Sequence, residues 1–293
     1  MAFDLRDCRN DPDLRQFGWT AGTAASYHSR RMQKFIHITD THFVPPGNLL
    51  YGLNPIDRLA LCVGDVNKHH PDAAFAILTG DLAHKGELAA YEALKREVDK
   101  LVMPCHPIVG NHDDRANFRA TFLNTPVDDD GFIQYTFEMG EGVLGICLDT
   151  NEPGKPWGSF CATRGAWLKA ELDKAGDRPV MIIMHHPPFK VRLRRMDDIS
   201  LLDPSAFISA IEGRRNIRHL FFGHLHRPVA GSWRGIPIST LRATSHQVAL
   251  DFVIEGRIPG SHEPPAYGVC LLEEDQMIVH MHDYLDRTNT FLL

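Results

Sequence analysis

The chain has no apolar run approaching the roughly 20 residues that a membrane span requires. Its first residues carry Asp4, Arg6, Asp7 and Arg9 where a signal peptide would have its apolar core, so a cytoplasmic protein is expected. Positive charge is not in excess. The 31 Lys and Arg stand against 37 Asp and Glu, for a net charge of −6 and a pI near 6.3. That balance offers no basic footprint for a nucleic-acid polymer or an anionic membrane. The cysteines Cys8, Cys62, Cys105, Cys147, Cys161 and Cys270 lack CxxC spacing, so they read as structural thiols rather than disulfides or ligands. No internal repeat and no low-complexity block is present.

What remains is a chain of 293 residues, 43% hydrophobic, long enough to bury one sizeable core. Its outlier is histidine, at 17. Residues 1–33 show no periodicity and read as an N-terminal extension, either an arm or a contact with a second copy. From residue 34 to 293 a single domain is expected. Strands are predicted over 35–39, 74–79, 105–109, 132–138, 143–148, 179–184 and 217–222, and helices over 57–69, 87–101, 115–123, 162–175 and 204–212. Residues 229–239 and 268–284 read as antiparallel strands around an irregular Gly/Pro-containing stretch, 251–265. Strands alternating with helices imply an α/β core, and the late strands a mixed sheet or a second one.

Chemistry gathers where these strands stop. Val109-Gly110-Asn111-His112-Asp113-Asp114 places an amide, an imidazole and two carboxylates where a strand must break. Alone it suits a solvated turn and helix cap equally well. Four other strand ends carry similar residues. In extended backbone, residues i and i+2 point the same way, so Asp40 and His42 reach one point, as do His224 and His226. Gly80-Asp81 adds a carboxylate, Gly110-Asn111 an amide oxygen, and His185 an imidazole ahead of the stiff His186-Pro187-Pro188. All should fall on one edge of the sheet, where open α/β sheets bind ligands. Seven such donors exceed one transition-metal site but suit two metals sharing a carboxylate. Without a thiolate the ions should be Mn, Fe, Co or Zn.

Asp40-x-His42, Gly80-Asp81, Gly110-Asn111-His112-Asp113, His185 in HHPP and Gly223-His224-x-His226 resemble, in order, the five blocks of the calcineurin-like metallophosphoesterases. Leu50-Tyr51-Gly52, residues 110–115 and residues 185–188 further resemble the bacterial class III cyclic-nucleotide phosphodiesterases and glycerophosphodiesterases. The likeness runs from about residue 34 to about 250. It implies a four-layer α/β/β/α sandwich of two mixed β-sheets flanked by helices. It also implies one metal on Asp40, His42, Asp81 and His226, and a second on Asp81, Asn111, His185 and His224, with Asp81 bridging and His185 chosen over His186.

Such a site hydrolyses a phosphoester with hydroxide as nucleophile, and His112 beside Asn111 is the natural general acid for the departing alkoxide. Asn111 and His112 would also touch substrate. Asp113 is read as the cap of the next helix rather than an orienting group. His84 stands where relatives usually carry Asp or Asn and is a candidate phosphate donor; His246 resembles a substrate-side histidine of the glycerophosphodiesterases. The basic run Lys190, Arg192, Arg194 and Arg195 reads as a solvated loop face. Two divalent metals, two carboxylates and one hydroxide leave about one positive charge, which favours a monoanionic diester. The expected function is therefore hydrolysis of small phosphodiesters, cyclic nucleotides or glycerophosphodiesters, by a homo-oligomer (dimer or higher) with no membrane partner. Residues 240–267 are read as a cap or contact segment. A phosphomonoesterase or protein phosphatase, and a non-catalytic scaffold of the same fold, are the competing readings.

Overall fold

Consecutive β–α–β units in each half of the chain lay down the parallel strands whose ends carry the donors. The computed structural model describes residues 32–288 and 291–292. The expected N-terminal extension lies outside the described residues except for its last two, and so does Cys8. In the first half, β1 (Gln33–Ile38), α1 (Pro55–His69), β2 (Ala76–Thr79), α2 (Leu88–Val98) and β3 (Cys105–Ile108) alternate, and the three strands run parallel. The last two strands return to this sheet: β12 (Tyr267–Leu272) pairs antiparallel with β1 and β13 (Met277–His282) with β12, for an order β13-β12-β1-β2-β3.

The second sheet has the order β4-β5-β6-β7-β9-β8. It comprises β4 (Tyr135–Gly140), β5 (Val143–Cys147), β6 (Val180–Ile183), β7 (Ile217–Phe221), β8 (Val229–Trp233) and β9 (Ile236–Thr240). Strands β5, β6, β7 and β9 are parallel, and hairpins close both edges. The β8–β9 hairpin turns at Arg234 (φ 51°) and Gly235 (φ 80°), the two left-handed residues that match strand twist. A two-stranded ribbon, β10 (Gln247–Val248) and β11 (Gly260–Ser261), stands apart.

The side-chain period of two divides β6 between two cores. Val180 and Ile182 pack with Leu168 and Leu172 of α4 (Ala162–Ala175) and Phe207 and Ile211 of a helix at Ser205–Ile211. Met181 and Ile183 face the first sheet, in the cluster that holds Phe35 and the α1 and α2 residues Leu59 and Leu94. Phe35 of β1 meets Phe221 of β7 edge to face at 5.7 Å. The result is two mixed sheets, face to face, with helices on the outside. Fully burying each large aliphatic side chain contributes about 1.5–3 kcal/mol, so the two sheets are fixed against one another by many such contacts.

Several boundaries differ from expectation for local reasons. The strand expected from 132 begins at Tyr135, because the amides of Phe132 and Ile133 donate instead to the carboxylates of Asp128 and Asp149. The basic run is not all loop. Arg194–Asp197 forms one helical turn, with the Asp197 carboxylate accepting from the Val191 and Arg192 amides. Arg194 and Arg195 pair with Glu255 and Asp198. Five described cysteines are free thiols, three of them buried. Among the described residues no helix is long and apolar enough to cross a membrane.

Candidate metal centre

The donors do not share one edge of one sheet, as the sequence suggested. Asp40 and His42 follow β1, Asp81 follows β2 and Asn111 follows β3, all from the first sheet; His185 follows β6 and His224 and His226 follow β7, from the second. The floor of the site therefore spans both sheets. Nor does strand alternation aim the pairs. Asp40 (φ 52°), His42 (φ 44°), Asp81 (φ 49°), His224 (φ 69°) and His226 (φ 49°) are all left-handed, five of the nine described non-glycine residues with positive φ. Each such residue costs about 1–3 kcal/mol and persists only where its surroundings over-determine it. Here the surroundings do so. The amides of Asp40, His42 and Phe43 donate to the carbonyls of Gly80, Asp81 and Leu82, and the His224 amide donates to the Asp40 carboxylate at 3.0 Å.

Ring orientation follows from the carbonyls behind each histidine. His185 Nδ1 donates to the Thr79 carbonyl at 2.7 Å, and His226 Nδ1 to the His246 carbonyl at 2.7 Å. Each Nε2 is thereby turned inward, where it becomes a lone-pair donor once its own proton is lost. His185 Nε2 lies 3.3 Å from Asp81 Oδ2, His42 Nε2 3.5 Å from the same oxygen, and His226 Nε2 3.4 Å from Asp40 Oδ1. His42 Nε2 and His226 Nε2 face each other at 2.9 Å. Asp40, His42, Asp81 and His226 are all buried, with their donor atoms within 4.8 Å of one another. Asn111 Oδ1 sits 3.1 Å from His224 Nδ1. The buried Nε2 atoms of His185 and His224 have no hydrogen-bond partner. Buried polar atoms are nearly always paired; the His185 orphan, 3.3 Å from the Asp81 carboxylate, fits a bound cation, whereas His224 turns its other nitrogen, Nδ1, toward Asn111 Oδ1. The donor set of N and O atoms suits divalent ions.

Backbone comes so close here that side chains are excluded. A Cβ on Gly110 would collide with the Asp81 carboxylate, and one on Gly223 with the Thr79 carbonyl. Burial opposes charge on His42 and His224, holding His42 well below its usual range and His224 at about 3, so both rings are neutral donors. Burial also opposes ionisation of Asp81, but His185 and His112 outweigh it and hold the carboxyl well below its usual range.

The model of the calcineurin-like phosphoesterases matches residues 33–228, which include every one of these donors. The chain belongs to that family. A protein of Rhodopseudomonas palustris named "probable cyclic nucleotide phosphodiesterase" is 45% identical over 255 residues, covering 86% of this chain and 93% of its own. One of Arcobacter nitrofigilis named "probable glycerophosphodiester phosphodiesterase" is 28% identical over the same shares, 86% and 93%. A dimetal phosphatase of Danio rerio superposes with a TM-score of 0.65 at 16% identity, covering 87% of this chain and 97% of its own, which speaks to the fold.

Within this phosphoesterase, the remaining candidates fall out unevenly. His112 donates from Nδ1 to the His84 carbonyl at 2.6 Å and its ring stacks on that of His84, with centroids 4.9 Å apart. His84 Nδ1 lies 3.2 Å from His42 Nδ1, so its side chain backs a donor histidine. His246 brings its ring within 5.0 Å of His42 and 4.6 Å of His226. Asp113 is not the helix cap. The cap of α3 (Arg115–Thr121) is Asp114, which accepts from the Asn117 amide. Asp113 is buried and accepts from the amides of Leu82, Ala83 and Gly110 and from the Tyr91 hydroxyl. Burial and the nearby Asp81 push its carboxyl up to about 6. It ties the loop after β2 to the loop after β3.

His186 engages the Thr150 hydroxyl at 2.7 Å and Asn111 Oδ1 at 3.1 Å, so both its nitrogens are taken, unlike those of His185. Sequence reading missed Thr39, whose hydroxyl donates to Asp40 at 2.6 Å, as well as Thr79, Thr150 and Tyr91. Their one signal was adjacency: Thr39 precedes Asp40, and Thr79 comes just before Gly80-Asp81.

Proposed function

We propose that this chain hydrolyses small phosphodiesters, cyclic nucleotides or glycerophosphodiesters, at a binuclear metal centre. The observation that carries the reading is the buried, unpartnered Nε2 of His185 beside Asp81, within a buried cluster of carboxylates and further histidines. Asp40, His42, Asp81 and His226 would hold one ion, and Asp81, Asn111, His185 and His224 the other, with Mn, Fe, Co or Zn as candidates. When bound, such a pair supplies a nucleophile from water at neutral pH and charge to stabilise the transition state.

The chain's own residues would do the rest. His112, anchored through Nδ1 on the His84 carbonyl, keeps Nε2 free to hand a proton to the departing oxygen. Asn111, His84 and His246 line the same cavity of about 660 Å³ and would orient the phosphate. The segment 240–267 contributes Gln247, Val248, Ile258, Ser261 and His262 to that cavity, which supports its reading as a cap. Its exposed Leu250, Phe252 and Val253 support contact with a second copy, which sedimentation velocity would detect. The neighbouring identity of 45% to a protein named as a cyclic nucleotide phosphodiesterase favours a diester over a monoester.

The deciding experiment assays chain loaded with Mn or Co against bis-p-nitrophenyl phosphate, cyclic AMP and p-nitrophenyl phosphate. Turnover of the diesters above the monoester, lost on chelation and restored by metal, is the expected result. Monoester turnover exceeding diester turnover would make it a phosphatase, and near-zero metal per chain with no turnover a scaffold.

A further inference from the structure

The cavity is not polar throughout. Tyr51, Pro156, Met196, Ile199, Val248 and Ile258 supply its apolar lining. Among the described lining residues the one Asp, Glu, Lys or Arg is Asp81, which belongs to the floor. A cationic head group on a glycerophosphodiester would find no carboxylate there, and a polyol would meet mostly apolar surface. A flat uncharged ring would find walls on which to lie.

Tyr51 is the unusual member. It is 61% exposed, so the core makes little use of its ring. Its backbone is left-handed, with φ 48°, and Gly52 after it is left-handed too, with φ 81°. Leu50 and Leu53 exchange amide-to-carbonyl hydrogen bonds of 2.8 and 2.9 Å around this pair, which is the geometry of a two-residue turn with both central residues at positive φ. Such turns favour Asn, Asp or Gly at the first position, and an aromatic residue is strained there. Turn chemistry alone therefore does not account for tyrosine. A second tie, from His262 Nε2 to the Tyr51 carbonyl at 3.0 Å, joins the turn to the 240–267 segment. The ring so held lies 4.7 Å from that of His246, at 67°. Strain kept at the mouth of a site points to a ligand clamp.

We propose that Tyr51, in a cavity also lined by Met196, Ile199 and Ile258, is a stacking shelf that selects diesters carrying a flat uncharged aromatic group, such as a nucleobase, over those of glycerol. The inference rests on the diesterase reading and specifies its substrate class. Every base has a π-face, so a stacking residue reads aromaticity rather than base identity.

The test compares kcat/KM for cyclic AMP, bis-p-nitrophenyl phosphate and glycerophosphoethanolamine in the metal-loaded chain and in Tyr51→Asn, Tyr51→Phe and Ile258→Asp. Asparagine suits the turn, so Tyr51→Asn should melt no lower than the parent while the ratio of cyclic AMP to glycerophosphoethanolamine efficiency falls about tenfold, mainly through KM. Tyr51→Phe should keep the ratio, and Ile258→Asp should lower it. If bis-p-nitrophenyl phosphate follows cyclic AMP, any aromatic ring serves; if only cyclic AMP falls, the shelf reads the nucleobase. An unchanged ratio in Tyr51→Asn and Ile258→Asp, or an equal fall in Tyr51→Phe, overturns the proposal. A parent chain that hydrolyses none of the three overturns the diesterase reading instead. The shelf is then read by calorimetric titration with AMP and glycerol 3-phosphate, whose Kd ratio should shift about tenfold in Tyr51→Asn.

Discussion

The floor and the apolar wall of the cavity are built by opposite means. Asp40, His42, Asp81, His185, His224 and His226 on the floor are all buried, polar and tied to backbone from two sheets. The wall comes from the turn at Tyr51, from Pro156, Met196 and Ile199, and from the segment 240–267, whose Leu250 is 59%, Phe252 57% and Val253 79% exposed outside the cavity lining. A floor made this way would hold ions whatever the substrate. A wall on loops can vary without disturbing the metal geometry, which is how one family of folds serves many esters.

The comparison breaks first at Asp81. Asp81→Ala should lower diester turnover about a thousandfold, the scale of stabilisation a metal clamp provides, and elemental analysis should find fewer ions per chain. Full metal content with that loss would remove Asp81 from the shared position. Next comes the buried tie behind the floor. Asp113→Ala leaves three amides and the Tyr91 hydroxyl without their acceptor. Urea denaturation should report a loss of about 3 kcal/mol or more, at roughly 1–3 kcal/mol per unsatisfied buried group.

His112→Ala should keep both ions but lose about a hundredfold on cyclic AMP, whose leaving group needs a proton, and clearly less on bis-p-nitrophenyl phosphate. Equal losses would take the general acid elsewhere. Asp114→Ala removes only a helix cap and should cost about 1 kcal/mol in the same denaturation series. Smallest of all, Val253→Ser on the exposed part of the 240–267 segment should change monomer stability by less than about 0.5 kcal/mol; a large change in melting temperature that depends on protein concentration would reveal a second copy covering it.

Much of this was visible in the chain. The helix over Ala162–Ala175 matches the expected bounds because its apolar spacing and the glycine at its end are local signals. That Asp40, Asp81, Asn111 and the histidines after β1, β6 and β7 would gather was readable because each follows an apolar strand. Neighbouring acids were harder to separate. Asp113 and Asp114 are equally good caps by type, and only packing against Leu82, Ala83 and Tyr91 assigns one to the loop junction and the other to the helix. His84 likewise gave no sequence sign that its ring would sit against those of His42 and His112 while lining the cavity.

Residue types and their order along the chain determined the chemistry by themselves. Imidazole, carboxylate and amide oxygen after successive strands state which atoms are available, because strand and helix periods are short-range properties. How those atoms are aimed was decided only by the tertiary structure. Left-handed φ at Asp40, His42, Asp81, His224 and His226 depends on hydrogen bonds between loops that are far apart in sequence. Which sheet supplies each donor, and what wall stands over them, depends on the packing of two sheets against one another. Long-range contacts of that kind leave no periodic trace in the sequence.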